Sequence, residues 1–219
     1  GTPSTNVHEY WGGDINWITP ADLSGYNEKK IHKGGKSISR LGLLKSSAKL
    51  MPPGSVIFSS RAPIGYVAIA GSELCTNQGF KSVMPHSCLF NEYLYYFLKS
   101  AKKKAEDLAS GTTFKEISLT GFSKLEIPIP PIPEQHRIVA KIEELFSSLD
   151  KGIESLKIAQ QQLKVYRQAV LKYAFEGKLT NKQRHFDKLS ARASMNSATG
   201  LVAEPVDQSP VAEPVEATN

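Results

Sequence analysis

Cysteine is almost absent from this chain. Cys75 and Cys88 are the whole complement, with no CxxC pair and no histidine cluster beside them. Two isolated thiols exclude a disulfide framework and a structural zinc site, and they fit a reducing compartment. Long apolar runs are missing too, so no segment approaches membrane-spanning length. The opening GTPSTNVHEYW carries no basic-then-apolar signal, and a cytoplasmic protein is expected. Catalytic signatures are also lacking. His8, His32, His86, His136 and His185 are scattered without ligand spacing, and no GxSxG, HExxH or GxGxxG follows a strand. The Asn-Pro-Pro-aromatic stretch that marks an adenine methyltransferase is not there, and the carboxylates show no nucleophile or metal spacing. A binding protein is expected, without cofactor or metal.

Positive charge is present in excess, and unevenly. Residues 1–133 hold 15 Lys and Arg against 10 Asp and Glu, a net +5, while 134–180 carry +2 and 181–219 carry −1. A basic globular part suits a polyanionic partner. Three compositional zones follow. In 1–133, strand-like runs bounded by Gly, Pro and Asn occur at Ser55–Ser59, Gly65–Ala70, Phe80–Met84 and Lys124–Ile129. One helix is predicted over Asn91–Ser110, with Asn91 as its N-cap and Gly111 as its stop. From about Asn181 periodicity fades, and VAEPV occurs twice, at 202–206 and 211–215, in a Pro/Glu/Ala/Ser background. That composition predicts a disordered tail without a role of its own.

The middle zone is the most regular. After prolines at 128, 130, 131 and 133, none occurs until Pro205. Ile142, Leu149, Leu156, Leu163 and Val170 recur every seven residues, and Leu145, Gly152, Ala159, Tyr166 and Tyr173 fill the positions three later. Such an a/d seam predicts a helix that needs a partner helix. At about 1.5 Å per residue, Glu134 to Glu176 would extend roughly 65 Å, the reach of a spacer. Gly152 and Ala159 ask for bulky neighbours and Tyr166 and Tyr173 for small ones, which an antiparallel pair supplies.

Several stretches are candidates for contact with a polyanion. Lys33–Ser37 (KGGKS) looks superficially like a phosphate loop, but position 30 is lysine where that pattern needs glycine, and no preceding strand is predicted. A basic flexible loop touching phosphate through Lys29, Lys30, Lys33, Lys36 and Arg40 is the functional reading; a solvated surface loop is the structural one. In SSRAPIGYVAIA, Ser59, Ser60 and Arg61 sit at a strand end where they can meet phosphate or a base edge, or Arg61 can lock the turn as an internal ion pair. In TNQGF and the lysine after it, Asn77, Gln78 and Lys81 offer amides and a cation, although Asn before Gly also builds turns. In SGTTFKEIS, Thr112, Thr113 and Lys115 complete the set, with a helix stop and strand start as the plainer reading. Trp11 and Trp17 are expected to pack rather than stack on bases.

These stretches, with GTPST…EYWGGDINWITPADL (1–23), GSVIFSSRAPIGYVAIA (54–70), TNQGF (76–80), SGTTFKEIS (110–118), IPIPPIPEQHRIVAKIEELFSSLD (127–150) and LKYAFEGKLT (171–180), occur in one order over nearly all of residues 1–180. The ordered set resembles the specificity subunit of type I restriction-modification enzymes. The resemblance implies an α+β fold: a globular mixed α/β target recognition domain (1–133), a long helical spacer and dimerisation region (134–180) forming an antiparallel coiled coil with a partner helix, then the tail (181–219). It implies a non-catalytic subunit that reads one half of a bipartite double-stranded DNA target. Methyltransferase subunits, and a restriction subunit, would dock on the helices. The family carries two recognition domains and two helical regions, so one of each predicts a half-subunit or fragment, completed as a homodimer or by a second half through the seam Ile142, Leu145, Leu149, Leu156, Leu163, Tyr166 and Val170. Relatives also have a leading stretch before the point where this chain starts. A recognition module cut from a fused restriction-methyltransferase polypeptide, or a coiled-coil scaffold without DNA affinity, are the rival readings.

Overall fold

Two strips of backbone that the sequence obscures organise the first part of the molecule. In the computed structural model, which describes residues 1–111 and 115–179, Trp11–Ile18 forms a long strand, β1, despite its Gly-Gly-Asp stretch. Gly12 adopts φ +77°, and a Cβ on Gly13 would lie 2.4 Å from the Ser39 Cα. These glycines make a bulge, in which both Trp11 and Ile15 face Ile38 of the antiparallel strand β3 (Lys36–Ile38). On its other side β1 pairs in parallel with β6 (Leu74–Thr76), completing a three-stranded sheet in the order β3-β1-β6.

The second sheet has the order β2-β5-β4-β7, from strands Lys30–Ile31, Val67–Ala70, Val56–Ser59 and Phe80–Val83. The predicted strands over 55–59, 65–70 and 80–84 are thus present with trimmed ends. Its central strand β4 is buried on both faces, which explains the unbroken apolar run. Val56 and Phe58 point to one core with Ile69, Leu94, Leu98, Ile117 and Leu125, while Ile57 points to another with Ile18, Ile31, Ala68, Leu74 and Phe80. Deleting a side chain as large as that of Phe58 from such a site costs about 3–5 kcal/mol.

Four sequence expectations need correction. Lys124–Ile129 joins no sheet; Pro128 has no N–H to donate to a ladder. The helix expected over 91–110 is two, α2 (Asn91–Ser100) and α3 (Lys102–Asp107), broken where Ala101 takes φ −79°, ψ 0°. Asn91 is the first helical residue rather than the N-cap; Phe90 holds that position, and its N–H donates to the Gln135 side chain at 2.8 Å. The basic stretch around 29–40 is not a loop throughout, since β2 precedes KGGKS and β3 begins within it. Short α1 (Arg40–Leu44) and α4 (Leu119–Phe122) are capped by the Ser39 and Ser118 hydroxyls, each accepting at 3.0 Å.

The long helix is present as α5, Ile132–Phe175. Contact density divides the chain into a first compact unit, Gly1–Leu149, and a second that begins at Asp150. The start of α5 belongs to the first unit and is fixed there by polar bonds. Gln135 is fully buried; its amide donates to the Cys88 carbonyl at 2.9 Å and the Pro130 carbonyl at 2.8 Å. The Tyr93 hydroxyl donates to the Pro128 carbonyl at 2.8 Å. Lys29 joins Glu92 at 2.9 Å and also pairs with Glu143 of α5. Burial alone would lower the Lys29 pKa, but hydrogen bonds to Glu143 and Glu92 outweigh it and hold the ammonium well above its usual range. The same bond to Lys29 is the main cause that pulls the Glu143 carboxyl below its usual range.

Candidate functional site

A cleft of about 900 Å³ opens between the 3₁₀ turn at Pro20–Leu23, the turn after β4 and the strand-like segment at Glu116. Arg61, Asn77 and Lys115 line it, together with Thr19, Ile64, Glu106 and Glu116. Three of the residues predicted for polyanion contact, drawn from three separate stretches, therefore share one concave surface.

The turn that delivers Arg61 is built by its neighbours. The Ser59 hydroxyl donates to the Pro63 carbonyl at 2.7 Å and accepts from the Tyr66 N–H at 2.8 Å. Between them Ala62 stands at φ +52°, a region that non-glycine residues rarely occupy. Arg61 faces Glu116 across 3.6 Å, and Lys81 faces the same carboxylate across 3.4 Å. One acid thus lies between two cations, and a net positive charge remains on the trio. The internal ion pair foreseen for Arg61 exists, yet its side chain stays 38% exposed and within reach of a ligand.

Other predicted residues fall elsewhere. Ser59 and Ser60 are fully buried: Ser59 serves the turn and Ser60 bonds Glu116 at 3.5 Å. Asn77 spends its side-chain oxygen on the Gly79 N–H at 2.9 Å, which builds the turn. Gln78 is exposed and accepts from the Thr2 hydroxyl at 2.6 Å. In KGGKS the Gly35 N–H donates to Asp22 at 2.8 Å rather than waiting for phosphate. Asp22 also receives the Thr19 N–H and hydroxyl; burial would raise its pKa, and these bonds reverse that and lower it. Lys33 and Lys36 are exposed, and the Lys36 ammonium lies 5.6 Å from the Trp11 ring. Arg40 lines a different depression with Asp14, Leu44 and Glu73, so the structure does not bring it to the cleft. Lys29, committed to Glu92 and Glu143, is taken from the phosphate set. Thr112 and Thr113, like the predicted tail, lie outside the described residues.

The helical seam is open. Leu145, Leu149, Leu156, Leu163 and Tyr166 are 55–72% exposed, and Ile142 and Val170 are half-buried. Phe146 and Ile153 lie beside it, also exposed, and widen the stripe. An exposed apolar stripe of this extent is unusual unless something covers it.

Residues 1–161 match the family model of the type I restriction modification DNA specificity domain. The chain belongs to this family. It is 42% identical over 158 residues to the type I restriction enzyme MjaIX specificity subunit of Methanocaldococcus jannaschii, covering 71% of this chain and 36% of that protein. It is 32% identical over 152 residues to the type I restriction enzyme EcoKI specificity subunit of Escherichia coli, with coverages of 66% and 33%. The solved HsdS subunit from Thermoanaerobacter tengcongensis superposes with a TM-score of 0.54 at 25% identity, over 81% of this chain and 41% of that one. The specificity domain thus spans about a third of the length of the curated relatives it matches. Its members are named for specificity rather than for catalysis. Among the described residues no group of His, Cys, Asp and Glu could hold a metal, and no helix is long and apolar enough to cross a membrane.

Sequence reasoning missed two residues that organise this specificity domain. Glu116 was hidden within a stretch read for its threonines and lysine. Gln135 carried the one usable signal, a polar residue just after a proline run at a helix start.

Proposed function

We propose that this chain is the DNA-reading half of a type I restriction-modification specificity unit, working in the cytoplasm on one part of a bipartite double-stranded target. The observation that carries the reading is the cleft, where Arg61, Asn77 and Lys115 converge on a unit with a net charge of +5 over residues 1–133. Cations that meet phosphates set orientation, and polar side chains at the groove set sequence preference. Residues 1–133 form the target recognition domain, and 134–180 form the spacer and dimerisation region.

The open seam calls for a second copy of the helix, paired antiparallel. An antiparallel pair gives the small Gly152 and Ala159 a bulky residue to meet, and it relates two recognition domains by a two-fold axis. Such a dimer reads a palindromic split site, since target symmetry follows protein symmetry. The faces of the helices away from the seam are where methyltransferase subunits, and with them a restriction subunit, assemble.

Two measurements test the reading. Gel shifts with mixed-sequence duplexes at stepped salt should show binding that weakens steeply as salt rises. Light scattering at micromolar concentration should give twice the chain mass. Absence of any shift would leave the coiled-coil scaffold as the reading, and a persistent monomer would remove the homodimer.

A further inference from the structure

Glu116 is an acid in a place where recognition of a polyanion asks for bases. Its backbone is pinned: its N–H donates to the Ser110 carbonyl at 2.9 Å, and its own carbonyl accepts from the Ser110 N–H at 3.1 Å. The next residue, Ile117, is fully buried and donates its N–H to the Ser60 carbonyl at 3.0 Å. A carboxylate on so fixed a backbone stands at a set point on the cleft wall. Its oxygens are divided: Oε2 faces Arg61 at 3.6 Å, and Oε1 faces Lys81 at 3.4 Å with the Ser60 hydroxyl at 3.5 Å. Charge-assisted hydrogen bonds normally run about 2.7–2.9 Å. These contacts are longer, and an ionised carboxylate has roughly four lone-pair sites. Glu116 therefore keeps acceptor capacity, and its side chain is 39% exposed. The other charges on the cleft are Lys115 and Glu106, the latter paired with Lys102 at 3.9 Å.

A carboxylate repels phosphate oxygens and the acceptor atoms of guanine and thymine, and adenine sets its N7 acceptor beside its N6 amine, whereas the cytosine N4 amine offers a donor in the major groove without an acceptor on the same base. We infer that Glu116 is a specificity-determining residue, which accepts a hydrogen bond from a cytosine N4 amine entering the cleft and restrains Arg61 and Lys81 from indiscriminate phosphate binding. This rests on the DNA-reading proposal above. A purely structural ion pair would tie Glu116 to the turn after β4 and to β7 and leave base preference untouched.

Selection from a randomised duplex pool, run on the full chain and on Glu116→Gln, separates the two. The variant keeps the shape and one acceptor but loses the charge. It should bind the unselected pool several-fold more tightly at low salt and lose tenfold or more of its preference at one cytosine position, with an unchanged melting temperature. An identical selected motif, or weaker binding to every duplex together with a lower melting temperature, overturns the inference. Lys81→Met supplies the opposite sign should the first variant fail to fold. With one cation fewer beside Glu116, it should weaken binding to the pool several-fold while keeping the preference at that cytosine position, and a lost preference overturns the inference as well. A wild-type chain that selects no motif refutes the DNA-reading proposal itself, an outcome distinct from any of these.

Discussion

Replacing Gln135 with alanine should loosen the anchoring of the start of α5 within the first unit. The side chain is fully buried and makes three hydrogen bonds, accepting from the Phe90 N–H and donating to the carbonyls of Cys88 and Pro130, all within 2.8–2.9 Å. At about 1 kcal/mol net for each bond, and more where a group is left unsatisfied, the loss is about 3 kcal/mol. For a protein of this size that lowers the melting temperature by roughly 6–12 °C. Thermal unfolding followed by circular dichroism measures it. Gln135→Glu sharpens the test, because a carboxylate facing two carbonyls has no proton to donate. Its folded-state pKa must then rise above the unfolded value, so stability is retained at low pH and lost as pH rises through the folded pKa. The variant should be worse at pH 7 than at pH 5. A loss under about 1 kcal/mol for Gln135→Ala, or a pH-independent deficit for Gln135→Glu, refutes the reasoning.

Four further outcomes follow from the same geometry. Glu143 is held below its usual pKa chiefly by Lys29, so its contribution is present above the unfolded carboxylate value of about 4.3 and fades as pH falls through the folded one; Lys29→Met should flatten the acid limb of a stability-versus-pH curve. Arg61→Met should weaken binding to target and random duplexes, with the salt slope smaller by about 0.9 if the guanidinium meets phosphate. Changes at exposed Lys36 should act alike on all sequences, whereas a change confined to one base position would mark it as a base reader. Leu163→Asp puts a charge on a seam residue that is 66% exposed in the single chain; it should leave the melting temperature of a dilute monomer unchanged and abolish the dimer in light scattering.

Helix α5 was legible because its pattern repeats over five heptads, long enough for one periodicity to win. Strands β4, β5 and β7 were legible because apolar runs ended at Gly, Pro and Asn. Strand β1 was not, since Gly12 and Gly13 break the apolar pattern and make a bulge against Ile38 and Ser39. Helix α3 separated from α2 through a backbone break at Ala101 that no residue choice announces. In the site, Arg61, Asn77 and Lys115 could be suspected from their types. That they share a cleft depends on chain crossings between residues tens of positions apart, which periodicity cannot encode. Glu116 acquires meaning only from Arg61 and Lys81, and the burial of Ser59 and Ser60 depends on the same long-range packing.

A chain that reads DNA as a two-fold pair meets two half-sites at once, which selection of the wild-type chain on a randomised duplex library would reveal. A bipartite motif whose halves are inverted repeats at one fixed spacing is the predicted result. An unstructured pool after selection, or a single half-site without a spaced partner, would contradict it.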